Sequence, residues 1–172
     1  MNFSRAELER VYDEHAPALH GFLLSFTGQE ADAHDLLQEV FVKLASRAEA
    51  LAQARNERAY LLQACYRLGV DWMRRQQTRR RHEDLFGAQR GATLFAPAAD
   101  PDTEIFRSAL GTALFELPVE QRAVVSLKLW HGLTFQEIAD ALGISPHTAA
   151  SRYRYALDKL RQRLRPLYEE IR

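Results

Sequence analysis

A single cysteine, Cys65, stands in 172 residues. An internal disulfide is therefore excluded, and so is a zinc set built on paired thiolates. A reducing cytoplasm is the expected setting. No apolar run approaches the roughly 20 residues that a membrane span needs. The first residues, MNFSRAELER, are polar from the start, so no secretory signal is expected. An excess of either charge is missing too, since 23 Lys and Arg balance 23 Asp and Glu. A neutral chain is no polycation, and any affinity for nucleic acid must come from local patches. Sustained period-two alternation is absent, which argues against sheet. There is no Gly-rich phosphate loop and no nucleophile elbow. His15, His20, His34, His82, His131 and His147 are scattered without partner ligands. Asp35 and Glu39 pair on one helix face, but nothing around them suggests a substrate pocket. No catalytic residue, metal site or cofactor is expected, and the chain reads as a binding protein.

What the sequence does have is segregated charge. Arg74, Arg75, Arg79, Arg80 and Arg81 lie close together with no acid between them. Arg152, Arg154, Lys159, Arg161, Arg163 and Arg165 are opposed only by Asp158. Acids gather at Glu30 to Glu39 and at Asp100 to Glu104. Such a chain can hold an anionic polymer on one surface and something else on another.

The most specific stretch is LTFQEIADALGISPHTAASRYRYALDKLRQRLR, from Leu133 to Arg165. Thr134 can cap a helix, and Glu137 completes a capping box. Ile138, Ala139 and Leu142 give that helix an inner face. Gly143 suits the left-handed backbone that ends it, and Ile144 plugs the turn. Ser145 and Pro146 then restart a helix as N-cap and first residue. Its apolar stripe is Tyr153, Ala156, Leu157, Leu160 and Leu164. An ordinary helical hairpin needs none of these signals in this order. A helix-turn-helix needs all of them, and the start of its second helix meets the bases.

The rest also reads as helix. Glu7 to Thr27 is a first helical region, with Leu8, Val11, Tyr12, Leu19, Phe22, Leu23 and Phe26 inside; Pro17 predicts a kink or break. Glu30 to Ala45 is a second, with Leu36, Leu37, Val40, Phe41 and Leu44 as its stripe. Residues 46–55 read as loop or frayed helix. Asn56 caps a third helix, whose core stripe is Leu61, Cys65, Leu68 and Trp72. His82 to Pro101, with Gly87, Gly91, Pro97 and Pro101, reads as a linker. Asp102 to Phe115 opens the second half, and Leu117-Pro118 starts a helix with Val124, Val125, Leu127 and Leu129 inside. The expected fold is all-α: two small helical domains, residues 1–81 and 102–172, joined by a flexible linker, 82–101, with the helix-turn-helix in the second.

Three blocks in this order resemble the sigma-70 family of bacterial RNA polymerase initiation factors, in particular its small extracytoplasmic-function (ECF) group. They are DAHDLLQEVFVKL (Asp32 to Leu44), NERAYLLQACYRLGVDWMRR (Asn56 to Arg75) and the run from Leu117 to Arg161. The resemblance implies core RNA polymerase and promoter DNA as partners, admits an anti-sigma factor, and implies a monomer when free. It implies that the second helix docks on polymerase through Asp35, Leu37, Gln38, Glu39 and Phe41. Leu37 and Phe41 are ambiguous between that interface and the core. It implies that Arg58, Tyr60, Arg67, Arg74 and Arg75 handle the minus-ten element, where cations follow the backbone and aromatics meet bases. It implies that His147, Thr148, Ser151, Arg152, Arg154 and Tyr155 read the minus-thirty-five element. The linker, by the same resemblance, threads toward the polymerase active centre.

The departures are Glu57 and Tyr60, where Pro and Trp are common, and Ala149-Ala150 and Tyr155, where Val followed by a cation, and Arg, are usual. A promoter preference different from that of the commonest members, or weaker binding of the minus-thirty-five element, is expected. Arg122 reads either as a contact to the DNA backbone or as a solvated side chain. A free-standing helix-turn-helix regulator and a sigma-like decoy without promoter recognition are the alternatives.

Overall fold

The computed structural model describes residues 5–83 and 100–170, and every element among them is a helix. The first, α1 (Arg5–Thr27), buries Val11, Leu19, Phe22, Leu23 and Phe26 along one face. It is unbroken at Pro17, contrary to a break there. A proline removes one amide donor, but Ala16 and Leu19 are both buried beside it and hold the two halves to the same surface. Tyr12, expected inside, is 43% exposed; its ring stands edge-on to Phe41 at 4.9 Å.

The second helix, α2 (Glu30–Ser46), buries Leu36, Leu37, Val40, Phe41 and Leu44. Glu30 and Asp32 fall in its first turn, where carboxylates suit the positive end of the helix. The next segment, expected as loop or frayed helix, holds the short α3 (Ala48–Ala52), anchored by buried Leu51. α4 (Glu57–Glu83) starts on its predicted cap: Asn56 Oδ1 accepts from the Ala59 amide at 2.9 Å. Leu61, Leu62, Cys65 and Leu68 are its buried stripe. His82 and Glu83 belong to this helix, not to a linker.

α5 (Pro101–Glu116) begins where the linker was expected to end. Asp100 caps it, accepting from the Thr103 amide at 3.0 Å, and Pro101 takes the first turn, where no amide donor is needed. The remainder of the expected linker, 84–99, lies outside the described residues. α6 (Val119–Leu129), α7 (Phe135–Leu142) and α8 (Pro146–Glu170) complete the chain. Val124, Val125 and Leu127 are fully buried. Leu129, expected with them, is 53% exposed, because the last residue of α6 lies past its packed turns. α8 continues beyond Arg165, through Pro166.

Packing joins the two halves. α1 lies against α2 and α4, and α5, α6 and α7 lie against α8. Gly69 of α4 has no room for a side chain: a Cβ there would meet the Phe26 ring at 2.7 Å. Across the seam between the halves, α1 packs on α6 and α4 on α7. One apolar cluster runs from Phe22 and Leu61 through Val124 and Leu127 to Ile138 and Leu142. Fully burying one such side chain contributes about 1.5–3 kcal/mol, so the seam has the character of a core. A second cluster, Leu114, Leu117, Val125, Ala156, Leu160 and Leu164, holds α5, α6 and α8 together.

Candidate nucleic-acid interface

The helix-turn-helix is built as its sequence demands. Thr134 Oγ1 accepts from the Glu137 amide at 3.2 Å. In return the Thr134 amide donates to Glu137 Oε2 at 2.7 Å. That amide bond, with a second donated to the same carboxylate by the Thr134 hydroxyl at 2.8 Å, holds Glu137 below the usual carboxylate range. Gly143 adopts φ 68°, the left-handed region that only glycine enters freely. The Ile144 amide then returns to the Ala139 carbonyl at 3.1 Å. Ser145 Oγ accepts from the Thr148 amide at 3.0 Å and lies 2.8 Å from the Thr148 hydroxyl. Of the residues expected to read bases, Thr148 is thus engaged in the cap.

His147, Arg154 and Tyr155 are exposed, while Ser151 and Arg152 are half-buried. The Arg154 guanidinium lies 5.2 Å from the centroid of the Tyr155 ring, which makes a flat cationic and aromatic face. Ala149 is fully buried, so this position packs the motif rather than facing a ligand.

Along α4, Arg58, Arg67, Arg74 and Arg75 are exposed and Tyr60 is half-buried against the core. Arg75 Nε donates to the Asp71 carbonyl at 3.3 Å, and Arg74 stands 3.9 Å from the Asp71 carboxylate. Trp72, expected as core, is half-buried against the apolar cluster.

On α2, Asp35 and Gln38 are exposed, and Glu39 pairs with Lys43 at 2.7 Å. Leu37 and Phe41 are 3% and 8% exposed and belong to the core. The helical period that exposes 35, 38 and 42 turns 37 and 41 toward α1 and α4. A polymerase-facing role for those two side chains has no surface to act through here. Val42 is 69% exposed beside the polar residues. It is the apolar member of that face, and it lies outside the buried stripe of α2.

The seam brings together groups from both halves. Arg58 of α4 donates to the His131 carbonyl at 3.0 Å. Arg152 of α8 stands near enough to Tyr66 of α4 for its charge to favour the phenolate. Burial raises the Tyr66 pKa, and Glu120 adds to this; Arg152 and Arg74 pull it the other way. Burial lowers the His131 pKa, and the Arg58 cation adds to that.

Arg122 is the residue that sequence reasoning misplaced. It is only 3% exposed and is not a solvated side chain on the DNA-facing surface. Its guanidinium donates to the Ser25 carbonyl at 3.3 Å, the Phe115 carbonyl at 3.0 Å and the Leu117 carbonyl at 3.1 Å. These acceptors lie at the C-terminal ends of α1 and α5, where helix dipoles present negative charge. The Phe115 ring lies under the guanidinium at 4.5 Å. It also fills the space of a missing Cβ at Gly28, which would come within 2.7 Å of it. Burial lowers the Arg122 pKa to about 10, so the group stays charged at neutral pH. The available signal was its place ahead of the apolar run Ala123 to Leu127, on the buried side of α6.

The fold and these surfaces define a helical DNA-binding protein of two lobes. Residues 11–79 match the family model of sigma-70 region 2, and residues 107–160 that of sigma-70 region 4. The ECF RNA polymerase sigma factor SigL of Mycobacterium tuberculosis is 31% identical over 165 residues, 94% of this chain and 91% of that relative. SigX of Bacillus subtilis, another such factor, is 27% identical over 170 residues, 94% of this chain and 85% of that relative. The fold is shared with RpoE of Bartonella quintana, solved with the anti-sigma factor NepR. That likeness has a TM-score of 0.74 at 22% identity and covers 91% of this chain and 96% of that one. It is also shared with CnrH, solved with the cytosolic domain of CnrY, at a TM-score of 0.67 and 24% identity, over 95% of this chain and 90% of that one. The chain belongs to the ECF sigma factors of the sigma-70 family, which direct RNA polymerase to promoters. Among the described residues no helix is long and apolar enough to cross a membrane.

Proposed function

We propose that this sigma factor divides its work between its lobes. Residues 1–81 hold core polymerase through Asp35, Gln38, Glu39 and Val42, and the minus-ten element through Arg58, Tyr60, Arg67, Arg74 and Arg75. Residues 102–172 read the minus-thirty-five element through His147, Ser151, Arg152, Arg154 and Tyr155, with Thr148 fixing the start of the recognition helix. The stretch 82–101 spans the two. The protein acts in the cytoplasm as a monomer until it meets polymerase, and leaves all bond chemistry to that enzyme.

One observation carries this reading: a fully capped helix-turn-helix has Arg154 and Tyr155 exposed on its second helix, and Arg152 beside them is half-buried, within electrostatic reach of Tyr66 of the other lobe. The closed arrangement therefore occupies groups that a promoter needs. Arg58 is tied down directly, donating to the His131 carbonyl at 3.0 Å. The closed form is then a resting form, and promoter engagement requires the seam to open.

Run-off transcription on a genomic promoter library, with core polymerase and the full chain, tests the assignment. New start sites sharing a two-block upstream motif are expected. Arg152→Ala should relax preference at one position of the upstream block by about 10–100-fold, the worth of a bidentate arginine–base contact. Unchanged preference would remove Arg152 from the reading face. Transcription independent of the chain would overturn the division of labour altogether.

A further inference from the structure

A cavity of about 390 Å³ opens at the seam, lined by residues of α1, α4, α5, α6 and the turn after α6. Leu24, Leu114 and Trp130 form much of its apolar wall, and Arg58, Arg122 and His131 bring nitrogen donors to it. Among the described residues no carboxylate lines it. This is the size and chemistry of a small-molecule site: mostly apolar, with a few convergent polar groups.

Two further observations point to an occupant. The buried Arg122 meets three carbonyls and the face of the Phe115 ring, none of them carrying a full negative charge, and among the described residues its Nε has no hydrogen-bond partner. A buried cation without a counter-charge favours an anion beside it. The second is Gly21, which also lines the cavity. A glycine inside a helix is unfavourable by about 0.5–1 kcal/mol relative to alanine. Gly28 and Gly69 are required because a side chain would collide with a ring; a Cβ on Gly21 would meet nothing within 4 Å. Packing does not demand this glycine, and a larger side chain there would have open space at the cavity wall to enter.

We propose that the seam cavity binds a small apolar monocarboxylate, its carboxylate met by Arg58 and Arg122 and its body by Leu24, Leu114 and Trp130. Both lobes build the walls, so the ligand binds the closed arrangement alone. A ligand that prefers one state shifts the population toward it. On the division of labour proposed above, the ligand would hold the factor off promoters.

The test titrates the full chain with 4-phenylbutyrate and octanoate, each against its matched alcohol, by calorimetry and by tryptophan emission. The Trp72→Phe variant leaves Trp130, in the cavity wall, as the sole reporter. Saturable binding of at least one acid is expected, with its alcohol at least tenfold weaker. Gly21→Leu should abolish binding while melting no lower than the parent. Failure of both acids to saturate, equal binding of acid and alcohol, or undiminished binding to Gly21→Leu would each overturn the site. Run-off transcription without ligand reports on the division of labour separately. If that assay works and the bound acid leaves it unchanged, the regulatory role falls while the site stands. If the assay fails, the titration still decides the cavity.

Discussion

Replacing Arg122 by methionine tests what holds the lobes together. The variant keeps an unbranched chain of similar length and removes the guanidinium. Three hydrogen bonds disappear, to Ser25, Phe115 and Leu117. A hydrogen bond to a charged group contributes about 1.5–3 kcal/mol, so the gross loss is several kcal/mol. Against it stands the relief of a buried cation, whose desolvation costs several kcal/mol in real proteins. What decides the balance is the state of the acceptors. The bonds to Ser25 and Leu117 are buried, and a carbonyl left unpaired there costs about 1–3 kcal/mol. A net loss of about 2 kcal/mol is expected, and it falls mainly on the closed arrangement, since Ser25 belongs to α1 and Arg122 to α6. With a urea slope of about 2 kcal/mol per M, the midpoint should drop by about 1 M. Dyes placed on α2 and α8 should report a larger mean separation by energy transfer. An unchanged midpoint together with unchanged transfer would refute the reasoning: the three carbonyls would then be satisfied without Arg122, and the seam would rest on apolar contact alone.

Three other outcomes follow from local geometry. Gly69→Ala forces a methyl into the Phe26 ring and should destabilise by about 1–3 kcal/mol, the usual range for overpacking, read by thermal or urea unfolding. Thr134→Ala removes the N-cap of α7 and should cost about 1 kcal/mol, with faster amide exchange confined at first to residues 135–138. Hydrogen bonding to Arg10, above all, lowers the Glu57 pKa, and His15 adds to it. A carboxylate with a depressed folded-state pKa stabilises above its unfolded value and loses that contribution as pH falls through the folded one. Glu57→Gln should therefore flatten the decline in stability between about pH 5 and pH 3; an identical acid limb in both proteins would show that the ion pair adds nothing.

Much of the local structure was legible because it is written in short-range signals. The Thr134 to Pro146 run carries its own caps, turn and restart, and each falls where its chemistry placed it. The Asn56 cap and the stripes of α2 and α4 were equally local. What escaped depended on distant partners. Pro17 looked like a break because its own residue disfavours helix, whereas the buried residues on either side of it decide the matter. Leu37 and Phe41 could be read as core or interface until α1 and α4 took their places around them. Arg122 gave little sign of burial, since its acceptor at Ser25 lies 97 residues away in sequence. The seam itself has no sequence motif, being the sum of apolar residues that also serve each lobe's own core.

The place of Arg152, half-buried on α8 within electrostatic reach of Tyr66 in the other lobe, bears on how such a protein can change. If Arg152 both reads promoter and fastens the resting form, no substitution there acts on one property alone. A change selected for a new upstream motif also loosens the lobes and raises activity in the absence of a signal. New specificity at this position then comes with leakiness, unless a second change elsewhere in the seam restores the closed state. Arg154 and Tyr155 are exposed and lie against each other rather than in the seam, and they are the positions at which preference could drift without disturbing the resting state.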